Sequence, residues 1–247
     1  YTAYVKIAQL DWKLNPKLKL SMGLIGNKQF NDQEKLWGYR YTYKGFLNEF
    51  KFGASADLGI NSEFIINPKL KVNLFVLNGE GYKETQDDDG FQRIGTNFIY
   101  SISNKFFGKI YFDSHPNKDA KAITNSSIFL GYNNNNFKLG VEYGKIKNGR
   151  TYKNAEDGHN RDGYSVFAIK SLKNNFEIYI RYDSISSNII SGQSIPWNNN
   201  DGSLLMFGTQ YQAVKGVKFN LNYRLFNFDN TIINTKSAIY LNAEFKI

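Results

Sequence analysis

The sequence predicts an all-β fold, a transmembrane antiparallel up-and-down β-barrel, and three observations carry that reading. Polar and apolar residues alternate with period two over long segments; short and long connections between the segments alternate strictly; and aromatic residues recur at matching segment ends. Thirteen strands are expected, at 3–14, 18–27, 53–66, 70–80, 91–103, 106–114, 123–132, 137–147, 163–172, 176–186, 203–213, 217–228 and 236–247. Most hold about 9 to 12 residues, whereas soluble strands average about 5 to 6 and a tilted strand crossing a bilayer needs about 9 to 11. Residues 1–247 are therefore read as a single barrel domain.

The composition narrows the alternatives. The 247 residues include no cysteine, which excludes a disulfide scaffold and thiolate metal chemistry. No run approaches the roughly eighteen apolar residues of a membrane-spanning helix. Residues 1–20 show no charged segment leading into an apolar block, so any signal peptide is expected upstream or already removed. The net charge of +9 invites a nucleic-acid reading. However, the lysines are spread along the whole chain and no nucleic-acid-binding motif is present, so nucleic acid is not expected as a partner.

The short connections are Asn15-Pro16-Lys17, Asn67-Pro68-Lys69, Ser103-Asn104-Lys105, Asn133 to Asn136, Lys173-Asn174-Asn175 and Val214-Lys215-Gly216, all built of turn-forming residues. Between them fall the long connections 28–52, 81–90, 115–122, 148–162, 187–202 and 229–235. Short periplasmic turns opposite longer extracellular loops are the organisation of outer-membrane barrels. Phe106, Phe137, Phe176 and Phe219 follow short turns and Trp12 precedes one, which reads as one interfacial girdle. Tyr82, Phe112, Tyr143, Tyr182 and Phe226, about a strand length away, read as the second.

Strand parity assigns the faces. In 176–186, Phe176, Ile178, Ile180 and Tyr182 alternate with Glu177, Tyr179, Arg181 and Asp183. An arginine facing lipid at mid-membrane costs about 2–4 kcal/mol, so the charged set must face the lumen. The same parity turns Arg93, Lys109, Lys138, Lys218 and Arg224 inward, with Asp57, Asp113 and Glu142 as counter-charges beside Glu177 and Asp183. A sheet of this strand number encloses more space than side chains fill, so a water-filled lumen is expected, its cation excess favouring anions. The longest loop, 28–52, is the candidate constriction: Lys28, Lys35, Arg40 and Lys44 sit among Phe30, Trp37, Tyr39, Tyr41 and Tyr43, although a surface loop has the same composition.

No catalytic or metal site is expected, and no cofactor. His115 and His159 lie in different long loops, and Ser114 and His115, adjacent on an extended chain, point to opposite faces. The run Asp87-Asp88-Asp89-Gly90 lacks the spacing of a Ca²⁺ loop and reads as a solvated tip.

The segments AYVKIAQLDWKLNPKLKLSMGLIG (3–26), QEKLWGYRYTYKGF (33–46), FGASADLGI (52–60) and VLNGEGY (76–82), with IRYD at 180–183, resemble outer-membrane porins of the phosphate-selective O/P type. The likeness covers roughly the first third of the chain. It implies a 16-stranded anion pore in which inward Arg and Lys guide the solute, with Arg40 and Asp57 as the matching positions. No dense arginine ladder runs along one wall, which points to general anion or small-solute diffusion. The first and last visible strands both descend, and a closed antiparallel barrel needs an even number, so strands are expected upstream of Tyr1. One would make fourteen and three would make sixteen; the resemblance favours sixteen.

The function expected is a porin of a Gram-negative outer membrane. Its anion-guiding residues would be Arg40, Lys44, Arg93, Lys109, Lys138, Arg181, Lys218 and Arg224. Expected partners are small anions or polar solutes, the lipid bilayer with its lipopolysaccharide, and further copies or a larger outer-membrane assembly. The alternative is a non-conducting structural or partner-binding barrel subunit.

Overall fold

The computed structural model describes residues 3–85 and 90–246. Thirteen strands follow one another in the order of the chain: β1 (Ala8–Asn15), β2 (Leu18–Gly26), β3 (Ala56–Asn67), β4 (Leu70–Leu77), β5 (Arg93–Ser101), β6 (Phe106–His115), β7 (Ile123–Asn133), β8 (Phe137–Lys147), β9 (Arg161–Ser171), β10 (Phe176–Ser187), β11 (Gly202–Val214), β12 (Val217–Phe228) and β13 (Lys236–Phe245). Two short helices, α1 (Asn31–Trp37) and α2 (Phe46–Glu49), lie in the long connection between β2 and β3. All strands belong to one antiparallel up-and-down sheet in which each pairs with its neighbours in sequence. The edge strands β1 and β13 are joined to β2 and β12, not to each other. They run in the same direction, so an antiparallel seam between them requires an odd number of intervening strands.

The tight turns are set by side chains that replace backbone partners. Asn67 Oδ1 accepts hydrogen bonds from the Lys69 and Leu70 amides, and Asn134 Oδ1 from those of Asn136 and Phe137. Ser103 Oγ does the same for Lys105 and Phe106. Such turns hold each hairpin in register, and register decides which residues face lipid.

The outer wall is apolar and uncovered. Ile180 on β10 and Leu221 on β12 are each 51% exposed, and Ile110, Leu130, Ile178 and Ile239 share that face. Buried groups on the other face include Asn61, Asn73 and Asn97, whose amides form a chain across β3, β4 and β5 at 3.1 and 2.9 Å. Apolar outside and polar inside is a membrane barrel's arrangement, because the bilayer replaces the core as the apolar phase. No helix among the described residues is long and apolar enough to cross a membrane. Ile180→Arg is expected to cost about 2–4 kcal/mol in urea unfolding from lipid vesicles. Unchanged stability would show that this face does not meet lipid.

At the short-turn end, Phe106 packs at a tilt against Tyr132 at 4.5 Å between ring centroids and Phe176 stacks on Tyr211 at 4.7 Å, both pairs on the outer face. At the other end Tyr164 and Tyr182 lie 6.0 Å apart, with Phe112 and Tyr143 on the same outer face. Two residues assigned to that girdle are elsewhere. Tyr82 belongs to the connection beyond β4, and Phe226 has lumen parity and packs against a buried cluster with Leu204 and Met206. Leu225 takes the outward position beside it, pairing with Leu205.

Candidate functional site

Residues 27–55 do not stay at the surface. The segment folds into the lumen because it carries an apolar face of its own and the wall offers a matching one. Leu36, Trp37 and Tyr39 pack on Phe129, Phe167, Ile169, Tyr179, Leu204 and Met206. Nearer the long-loop end, Phe30, Phe46, Leu47 and Phe52 pack on Ile123, Ile146 and Ile185. Trp37, 1% exposed, meets Phe167 at 5.1 Å and Tyr179 at 5.4 Å, edge to face. The wall makes room with glycines: a Cβ on Gly144 would lie 2.4 Å from Leu47 Cδ2, and one on Gly163 2.8 Å from Phe46 Cζ.

Polar bonds tie the same segment down along its length. Tyr39 donates to Glu177 at 2.7 Å, and Tyr41 to Gln210 at 2.8 Å. Arg181 donates to the Lys44 carbonyl at 2.7 Å, Arg224 to that of Thr42 at 2.8 Å and Arg161 to that of Lys51 at 3.0 Å. Lys109 bridges Asp32 at 2.7 Å and also reaches the Lys28 carbonyl. Burial pushes the Tyr41 phenol up to about 12, so it is a protonated donor throughout the physiological range.

These contacts redefine most of the wall charges singled out from the sequence. Arg93, Lys109, Arg181 and Arg224 have the expected inward parity, but the lumen segment and the loops cover them, so they are not open pore lining. Arg181 is bidentate to Asp183, at 2.8 and 2.7 Å, with both side chains essentially inaccessible. Arg93 pairs with Asp113 at 2.6 Å and also meets His115 and the Tyr152 carbonyl. The Arg224 guanidinium lies between the Tyr43 and Tyr240 rings, at 4.9 and 4.0 Å. Asp57 accepts from the Leu58 and Gly79 amides, Glu142 is buried, and Glu177 accepts from Tyr39, Gln210 and Ser171. For Arg93, Lys109 and Arg181, pairing with a carboxylate and attachment of a loop or of the lumen segment are done by the same group.

Arg40, Lys44, Lys138 and Lys218 remain accessible. Lys44 has a side chain 51% exposed, with Glu49 3.7 Å away, and Lys218 stands 3.6 Å from Glu244. Arg40 is aimed by Glu34, a residue no sequence argument singled out: its Oε1 accepts from Arg40 at 2.8 Å, the Gly45 amide at 3.0 Å and Asn48 at 2.8 Å. A Cβ on Gly45 would sit 2.7 Å from Glu34 Cγ, so this fold of the segment needs glycine there. Aromatic residues at alternate positions 37, 39, 41 and 43 are the sequence signal that could have identified a buried face here.

Arg40 and Lys44 line a cavity of about 380 Å³ toward the long-loop end, together with Lys51, Tyr82, Lys83, Glu84, Tyr152 and Lys153. Glu84 is its one acidic lining residue among those described, and Lys153 bridges it at 2.5 Å. Lys6 approaches the same cations: burial first, then the Arg40 guanidinium, hold its ammonium below the ordinary lysine range, against the pull of Glu34. The described lining of this vestibule thus holds five cations and one acid. Among the described residues no group of His, Asp and Glu could hold a metal ion. The tip residues Asp87 to Asp89 lie outside the described residues. His115 and Ser114 are successive residues of β6, and His159 packs on Trp197 at 5.1 Å, far along the chain from either.

No family model matches the sequence, and no curated protein matches it. Solved structures do match. OmpF of Salmonella typhi, in complex with daunomycin, superposes with a TM-score of 0.72 at 11% identity, over 96% of this chain and 88% of that one. A loop-deleted OmpT, an outer membrane protein of Vibrio cholerae, gives 0.70 at 13% identity, over 98% and 80%. The outer membrane channel DcaP of Acinetobacter baumannii gives 0.65 at 10% identity, over 92% and 71%. The fold is that of an outer-membrane porin. At these identities the likeness is one of architecture, and the chemistry of the lumen has to be argued from this chain's own residues.

Proposed function

We propose that the chain forms a passive, water-filled channel in a Gram-negative outer membrane that prefers small anions and admits polar solutes. The observation that carries the reading is the vestibule, where Arg40, Lys44, Lys51, Lys83 and Lys153 line one cavity whose one acidic lining residue among those described is Glu84. Glu34 and Glu49, the partners of Arg40 and Lys44, lie behind that lining, and Lys51 and Lys83 have no carboxylate partner among the described residues. Fixed cations around an aqueous constriction raise the local anion concentration. Lys138 and Lys218 extend the positive potential toward the short-turn mouth. The resemblance to phosphate-selective porins supports a role for Arg40; the covered arginines of the wall favour general anion passage over a phosphate-specific ladder. The apolar wall is in contact with the bilayer and its lipopolysaccharide, and could also meet further copies of the chain.

Planar-bilayer recording tests this. Discrete conductance steps are expected, with a reversal potential in a KCl gradient of the sign set by chloride. Steps without ion preference would remove the anion part. A purified, folded barrel that never conducts would favour the non-conducting structural or partner-binding reading, which the deep packing of residues 27–55 would then support. The Lys6 shift adds a pH signature. Burial and the neighbouring Arg40 guanidinium make its proton leave below the ordinary lysine range, so a first fall in anion preference is expected there as pH rises. Lys6→Gln should abolish that first step, and an identical pH profile in the variant would exclude Lys6 from the vestibule field.

A further inference from the structure

We propose that the cavity at the short-turn mouth of the lumen is a binding site for a hydroxylated organic monoanion. The proposal rests on the channel reading and names a solute class for its far end. The cavity, about 420 Å³, lies between the tip of the lumen segment and the feet of the strands from β8 to β12.

Two kinds of group line it. Some are already committed: Glu177 accepts from Tyr39, Gln210 and Ser171, and these bonds close the aromatic side of the cavity. Others are free. Lys138, Gln212, Asn174 and Asn175 border the space, and their side chains make no hydrogen bond or ion pair among the described residues. The free ammonium recognises a carboxylate, since a charge-assisted hydrogen bond is roughly twice as strong as a neutral one. The free amides both donate and accept, which suits hydroxyl groups and not a bare halide. A second ammonium, Lys218, also lines the space but is paired with Glu244 at 3.6 Å, so the unpaired Lys138 with the three amides matches one negative charge flanked by hydroxyls, as in a sugar acid. The vestibule at the other end differs: it is rich in cations and sorts by charge alone.

Gluconate is the probe, with acetate sharing its charge and glucose its hydroxyls. In KCl, gluconate added at the short-turn mouth should interrupt single-channel current at concentrations about tenfold below those needed for acetate or glucose. Lys138→Gln should raise the blocking concentration about tenfold. Asn174→Gly with Gln212→Ala should bring gluconate to the level of acetate. Glycine is used at 174 because φ there is +59°. Equal block by gluconate and acetate, or block unaffected by Lys138→Gln, overturns the proposal. Calorimetric titration of gluconate into the detergent-solubilised barrel reads the site without conductance. Binding that Lys138→Gln weakens supports the site even if no current is seen, and absence of binding overturns it even if the channel conducts anions.

Discussion

Arg181→Met is expected to loosen the lumen segment and to destabilise the barrel by about 3–5 kcal/mol, the cost of leaving one member of a buried ion pair alone. Asp183 is fully buried, and its two bonds from Arg181 would have no replacement. The same guanidinium donates to the Lys44 carbonyl and lies over the rings of Trp37 and Tyr43, at 5.0 and 5.3 Å. One substitution therefore removes a charge pair, a backbone anchor and two ring contacts. Urea unfolding should report the stability loss, and single-channel recording should report larger, noisier steps as the segment leaves the wall. Arg181→Met combined with Asp183→Leu separates the effects. Removing both charges should restore most of the stability, because a matched apolar pair escapes the desolvation penalty, while the noise persists because Lys44 is still unanchored. If Arg181→Met leaves stability and conductance unchanged, the segment is not held by this pair.

That result would differ from what the sequence suggests for Arg181, and the difference marks where sequence reasoning stops. Face assignment is local: with a period of two, Ile178, Ile180 and Tyr182 had to lie opposite Arg181 and Asp183, and the register of β10 on β9 and β11 follows from its neighbours' own alternation. Turn chemistry is equally local, as Asn67 and Asn134 illustrate. Whether an inward arginine meets water or a folded segment is not local. It depends on residues 27–55 finding space beside Gly144 and Gly163, about a hundred positions further along the chain, where a missing side chain is the relevant feature. The aromatic content of 37–43 indicated that the segment could pack, but the same composition suits a surface loop. Phe226 has a simpler explanation: its distance along the strand suits a girdle, but its parity, shared with Arg224, turns it to the lumen.

Lys44→Glu combined with Lys83→Glu is expected to reverse the proposed anion preference into a cation preference. Each replacement changes one charge from +1 to −1, so the vestibule shifts by four units while the covered charges of the wall stay as they are. Arg40 is left in place because it is bonded to Glu34, and a carboxylate at 40 would set two like charges against each other where the segment is pinned. Lys44 and Lys83 carry no comparable burden: Lys44 has only a loose partner in Glu49, and Lys83 rests near the rings of Tyr4 and Tyr82. At about 0.1 M salt the screening length is roughly 10 Å, comparable to the width of such a cavity, and at 1 M it is roughly 3 Å. The reversal potential should therefore change sign at low salt, and the difference from the unmodified chain should shrink steeply as salt rises. A salt-independent change would point to altered pore size instead of altered field, and an unchanged reversal potential at 0.1 M would mean that solutes bypass the vestibule. Arg181→Met should behave in the opposite way, with a large effect on conductance and little on ion preference, because its charge is matched by Asp183. The pair of experiments thus assigns anchoring and selectivity to different cations of one lumen.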